Sequence, residues 1–171
     1  MLFRAITGLM QVDSGCVEIN GVEIGKEQNF IKDAGTIIGE STFINSLSGY
    51  ENLLILAEIQ NKIGKEDILE VLKKVGLIEA KDKKFKNYSL GMKQRLRIAQ
   101  AIMEDPSILI LDEAFNGLDK EGTREIQELL LNYKKMGKTI LLTSHNERDI
   151  ELLCDEVFEL NRGKLIGSLK N

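Results

Sequence analysis

Apolar and polar residues fall along this chain in blocks that read as separate elements. The clearest block is Ile108-Leu109-Ile110-Leu111, bounded by Pro106 and by the acidic pair Asp112-Glu113. Four apolar residues in succession predict a strand buried on both faces, as in a parallel sheet covered by helices. Thr139-Ile140-Leu141-Leu142-Thr143 predicts a second buried strand, and residues 35–38 a third. Short paired runs predict two hairpins. One joins Val17-Glu18-Ile19 to Val22-Glu23-Ile24 through Asn20-Gly21; the other joins residues 157–160 to 164–166 through Asn161-Arg162-Gly163.

Other segments follow helical spacing. Leu2, Phe3, Ile6 and Leu9 predict a helix at the very start, closed by Thr7-Gly8. Between residues 50 and 88 there are two apolar faces, one of Leu53, Leu54 and Ala57, the other of Ile68, Leu69, Leu72 and Val75. Gly64 separates them and Gly76 ends the second. Residues 81–86 form a basic, solvated stretch. Leu96, Ala99, Ile102 and Met103 predict a helix stopped by Asp105-Pro106; Ile126, Leu129, Leu130 and Tyr133 predict another, capped by Gly137. A short helix is expected over 147–154. The order predicts an α/β core from residues 1–39 and 89–171, with a helical subdomain, 40–88, inserted into it.

Composition narrows the class. With 171 residues, 43% apolar and 29% charged, the chain is long enough for one domain with a real core. A net charge of −4 gives no electrostatic footprint for nucleic acid. No apolar run approaches the roughly 18 residues that suggest a membrane-spanning helix, and Met1-Leu2-Phe3-Arg4 lacks the pattern of a signal peptide. Cys16 and Cys154 have no metal-like spacing, so two reduced, buried thiols of a cytosolic chain are expected.

Three places carry candidate chemistry. Asp112 and Glu113 stand where a buried strand emerges, the edge at which open α/β sheets collect ligands. One carboxylate suits Mg²⁺, directly or through water, and the other an attacking water. Taken alone, the same residues are equally an ordinary strand followed by a solvated acidic turn. Ser144 and His145, the chain's one histidine, are delivered to the same edge by the next strand. A lone histidine is more often structural; this position beside two carboxylates makes the functional reading about as good. Ser89 is placed to cap a helix and Gly91 leaves its backbone approachable, which together suit an anion. A plain capped helix has the same pattern.

In this order the pieces resemble the ATP-binding domain of ABC transporters over nearly the whole chain. Ser89-Leu90-Gly91-Met92-Lys93-Gln94-Arg95 resembles the LSGGQ-type signature, residues 108–113 the Walker B strand with its catalytic glutamate, Asn116-Gly117-Leu118-Asp119 the D-loop, and His145 the switch histidine. Leu90 and Met92 stand in place of the glycine that follows the signature's serine and of its glutamine, and in this the chain is similar to subunits of bacitracin- and lantibiotic-type exporters. The resemblance implies a P-loop NTPase (RecA-like) core, ATP and Mg²⁺ as cofactors, and a head-to-tail dimer with a second ABC ATPase subunit. It implies that Ser89, Leu90, Gly91 and Met92 meet ATP held on the partner, and that Asp112 positions Mg²⁺ through water. Glu113 would polarise water, His145 would touch the γ-phosphate, and Asp119 would bridge the sites. The implied protein is cytoplasmic, held at the cytoplasmic face of the plasma membrane by a transmembrane permease subunit, and works in peptide-antibiotic export with no nucleic acid as partner.

The departures matter as much. The P-loop, GxxxxGK[ST], does not occur in these residues. In the family it precedes a helix similar to residues 2–9, so an N-terminally truncated ATPase core, without its first strands, is expected. That loop supplies most of the phosphate contacts and a direct Mg²⁺ ligand. The strand over 139–143 should then have an unpaired edge. The Q-loop position falls on Gly39, and Glu40 takes it only after a one-residue slip. Ala114 replaces the proline that commonly follows the Walker B glutamate. The chain alone is therefore expected to be inactive. A non-catalytic remnant, lending only its signature to a partner's ATP site, is the alternative. A soluble ABC protein of ribosome or DNA is disfavoured by the acidic balance and the missing tandem domain.

Overall fold

A computed structural model describes residues 1–39 and 43–170, with side chains as far as Ser168. Helix α1 (Leu2–Ile6) opens the chain and ends at Thr7. Leu9 falls beyond it and is exposed, so the predicted helical face is shorter than its spacing suggested. Strands β1 (Val17–Ile19) and β2 (Val22–Ile24) pair antiparallel. Asn20 and Gly21 both take positive φ, 52° and 79°, the tight turn that matches the twist of two strands.

The centre is a parallel sheet in the order β3-β4-β5, formed by β3 (Ala34–Ile37), β4 (Ile108–Asp112) and β5 (Thr139–Thr143). Its register sets Ile37 opposite Leu111 and Asp112 opposite Thr143. Leu109, Ile110 and Leu111 are buried, as the apolar run requires. Burying each such side chain stabilises by about 1.5–3 kcal/mol. The second predicted strand differs: Ile140, Leu141 and Leu142 are only half-buried, and Thr139 is exposed. Among the described residues β5 pairs with β4 alone, the unpaired edge expected for it, and that edge position explains the incomplete burial.

Helices α2 (Gly49–Gln60), α3 (Lys65–Lys74) and α4 (Leu90–Ile102) pack on one another, and α4 lies on β3. Gly35 permits this last contact, since a Cβ there would stand 1.7 Å from the Ala101 carbonyl oxygen. Between α3 and α4 run two short 3-10 turns, Ile78–Ala80 and Phe85–Asn87. Leu53, Leu72, Leu96, Leu109 and Ile126 belong to one continuous apolar core, shared by the helical region and the sheet. Helix α5 (Lys120–Lys135) crosses from β4 to β5, and α6 (Glu147–Leu153) packs against α5. The chain then forms the antiparallel ribbon β6 (Glu156–Asn161) and β7 (Lys164–Lys170), longer than the sequence pattern indicated. No described helix is long and apolar enough to cross a membrane. The cysteines correct one expectation: Cys16, in the turn before β1, is exposed, and Cys154 is half-buried.

Candidate functional site

The carboxyl ends of β4 and β5 converge, and they carry the acidic pair and the histidine. Asp112 ends β4 and Thr143 ends β5, directly opposite. The Thr143 hydroxyl donates to Asp112 Oδ1 at 2.7 Å and accepts from the Glu113 amide at 3.0 Å. One hydroxyl thereby fixes the Asp112 carboxylate and the start of the turn that follows. Glu113 itself has φ of 53°, a left-handed conformation that is costly for a side chain with a Cβ. The turn aims the Glu113 carboxylate toward His145, whose Nε2 lies 3.2 Å from Oε1. The His145 ring is almost wholly exposed, at 94%, and Glu113 is partly covered, at 28%. Thr143 was not among the candidates that the sequence offered. Its signal was its place at the same strand end, two residues before His145.

The signature segment begins α4. Ser89 is its N-cap, with Oγ accepting from the Met92 amide at 3.2 Å. Ser89 and Leu90 are exposed, and Gly91 and Met92 are half-buried. Gly91 does allow a close approach, and within this chain the approaching group is the D-loop. A Cβ at Gly91 would lie 3.2 Å from the Gly117 carbonyl oxygen, and one at Gly117 would lie 2.6 Å from Leu90 Cγ. Gly117 also has φ of 83°, which favours glycine. Just before the cap, Tyr88 is buried and donates its hydroxyl to the Ala80 carbonyl at 2.9 Å; burial pushes the phenol up from its ordinary value.

One turn into α4, buried Gln94 donates to the Ala114 carbonyl at 2.7 Å. This joins the signature helix to the residue after Glu113. Arg97 donates to Gln94 Oε1 at 3.1 Å and also to the Gly39 carbonyl at the end of β3. Arg95 reaches the Val75 carbonyl at 2.8 Å and Glu125 at 2.6 Å, tying the helical region to α5. None of these links was legible as a function in the sequence. Asp119 caps α5, accepting from the Gly122 amide at 2.8 Å. Glu40, the candidate Q-loop residue, lies outside the described residues.

The donor set fits one side of a magnesium–nucleotide. The Asp112 carboxylate and the Thr143 hydroxyl meet at the strand ends, with Glu113 in the turn that follows, a set suited to a hydrated cation through water rather than to enclosing a bare one. The described residues contain no cluster of three or more His, Cys, Asp or Glu able to hold a metal ion by themselves. A capped helix start with an exposed hydroxyl suits a phosphate.

Comparison with known proteins bears on the family and the fold. The ABC transporter family model matches residues 1–116. An uncharacterized ABC transporter ATP-binding protein of Bacillus subtilis (strain 168) is 42% identical over 170 residues, covering 99% of this chain and 78% of that protein. The bacitracin transport ATP-binding protein of Enterococcus faecalis is 44% identical over 133 residues, covering 77% of this chain and 43% of that protein. For the lantibiotic transport ATP-binding protein of Streptococcus pyogenes the identity is 35% over 165 residues, with 96% and 71% covered. The chain spans only 54% of two further B. subtilis relatives. Among solved structures, a dimeric ATP-binding cassette in a post-hydrolysis state, bound to ADP and Pi, superposes with a TM-score of 0.85. It is 21% identical, with 99% of this chain and 78% of that one covered, and it shares the fold.

Proposed function

The chain belongs to the ABC transporter family, and from that premise we propose that it acts as part of the ATP-binding subunit of an exporter. Relatives that carry bacitracin and lantibiotics in their names support a peptide antibiotic as the exported class. The observation that carries the reading is the meeting of Glu113 and His145, 3.2 Å apart, beside an Asp112 held by Thr143.

In this reading two such domains face each other head to tail. Ser89, Leu90, Gly91 and Met92 of one domain present a hydroxyl and free helix-start amides to the γ-phosphate on the other. Asp112 would hold Mg²⁺ through water, and the ion would supply positive charge for the phosphates there. Glu113 orients the attacking water and accepts its proton, and His145 donates to the γ-phosphate. Asp119 stands between the two sites. Residues 40–88 act as the helical unit that passes the motion of the paired domains to a membrane-spanning permease. The protein accordingly works at the cytoplasmic face of the membrane, without nucleic acid.

These 171 residues hold no glycine-rich phosphate cradle. We therefore assign to this stretch the signature, water-activating and switch groups, and expect it not to bind ATP unaided. A second reading, a module that lends only Ser89 and Gly91 to a partner, is favoured by the same absence. Hydrolysis by a form extended upstream in frame, if a P-loop is encoded there, separates the two. Glu113→Gln in that form should lower the rate by about 10²–10⁴-fold while ATP binding persists. An unchanged rate would remove Glu113 from the chemistry.

A further inference from the structure

We propose that Asp149 is a positioning residue for His145, a latch that also ties the histidine to the D-loop helix. Asp149 sits on α6 and is only 2% exposed. Among the described residues it forms no ion pair. A buried carboxylate without a cation is costly unless hydrogen bonds satisfy it. Three do: Gln127 Nε2 at 2.8 Å and Asn146 Nδ2 at 3.3 Å donate to Oδ1, and the Ser144 hydroxyl donates to Oδ2 at 2.7 Å.

Two of those donors are the residues on either side of His145. The loop is closed further by the Asn146 amide, which donates to Ser144 Oγ at 3.1 Å. The His145 ring is exposed, and among the described residues Glu113 is the one side chain paired with it. Its direction therefore depends on how the loop at 144–146 is held, and Asp149 bonds the side chains of the residues on both sides of it.

An ordinary helix cap does not account for this arrangement. Asn146 is the N-cap of α6 and Asp149 stands three residues on, where an acidic side chain would reach back to the N-cap amide. Here that amide goes to Ser144 instead. Asp149 reaches out of its helix to α5, through Gln127. Helix α5 begins at the Asp119 cap, so a shift of the D-loop helix is carried to the His145 loop within one chain.

The inference rests on the role proposed for His145, yet its test needs no nucleotide, so the two fail separately. His145 is the only histidine, and NMR of the labelled full chain shows a single imidazole. The wild type should give an Overhauser contact between that ring and the Glu113 side chain. Asp149→Ala should abolish it while the amide shifts of β3, β4 and β5 stay in place. Asp149→Asn should retain it, because its amide oxygen still accepts from Gln127 and the Ser144 hydroxyl can turn to accept. If Asp149→Ala does not fold, Gln127→Met carries the test, with the contact expected to fall by half or more. An unchanged contact in a folded Asp149→Ala chain, or in Gln127→Met where that variant serves, overturns the proposal. So does its loss in both Asp149 variants, or its absence from the wild type.

Discussion

The Thr143 hydroxyl lies 2.7 Å from Asp112 Oδ1, across the β4–β5 register that sets the two residues opposite each other. The same hydroxyl receives the Glu113 amide at 3.0 Å. Replacing Thr143 by Val keeps the shape and removes both bonds. The expected loss is roughly 1–3 kcal/mol of stability, since a partly buried carboxylate and amide lose their partner. Urea unfolding of Thr143→Val beside Thr143→Ser, which keeps the hydroxyl, measures it; equal midpoints for the two variants would show the hydroxyl to be idle.

Gln94 holds the other side of the acidic turn. Gln94→Leu leaves the buried Ala114 carbonyl without its donor, at a cost of roughly 1–3 kcal/mol. The change should also loosen residues 113–117, because the left-handed Glu113 depends on surrounding contacts to persist. Hydrogen exchange should show faster exchange there than in α3, which serves as the internal reference.

The two thiols should separate cleanly in reactivity. Cys16 is exposed, whereas burial pushes the Cys154 thiol above its ordinary value of 9.0. A thiolate is the reacting species, so iodoacetamide near neutral pH should label Cys16 at least about tenfold faster. Peptide mapping over time reads the ratio, and equal rates would contradict the burial of Cys154.

A pH dependence follows from the start of α2. The Ser48 amide, at 2.7 Å, and the Ser48 hydroxyl bond Glu51 and hold its carboxyl below the ordinary 4.5. A depressed folded value gives stability that is fully present above the unfolded value and lost as pH falls through the folded one. Unfolding midpoints followed from about pH 5.5 to 3 should fall less steeply for Glu51→Gln than for the wild type. Parallel curves would show that Glu51 does not contribute.

What the sequence made legible is what local pattern encodes. The apolar run 108–111 named its own strand, Asn20-Gly21 named its turn, and Ser89 proved to be the cap of its helix. Thr143 was hidden because its partner depends on strand register, which one strand does not contain. Gln94 and Asp149 looked like ordinary polar positions on helices. Their burial comes from elements distant in sequence, the turn at Ala114 and helix α5. Strand β5 was read in two steps. Its apolar run alone predicts two covered faces, and only the missing P-loop strand predicts the unpaired edge at which it lies among the described residues.

The central claim is that this stretch carries the water-activating, switch and signature groups of an ABC ATPase but not the cradle that grips the phosphates. Calorimetric titration of Mg-ATP into the 171-residue chain, beside a form extended upstream to any in-frame P-loop, tests it most directly. Heat of binding is expected for the extended form and none for the 171 residues. Tight binding by the 171-residue chain would contradict it and require a phosphate site elsewhere in the fold.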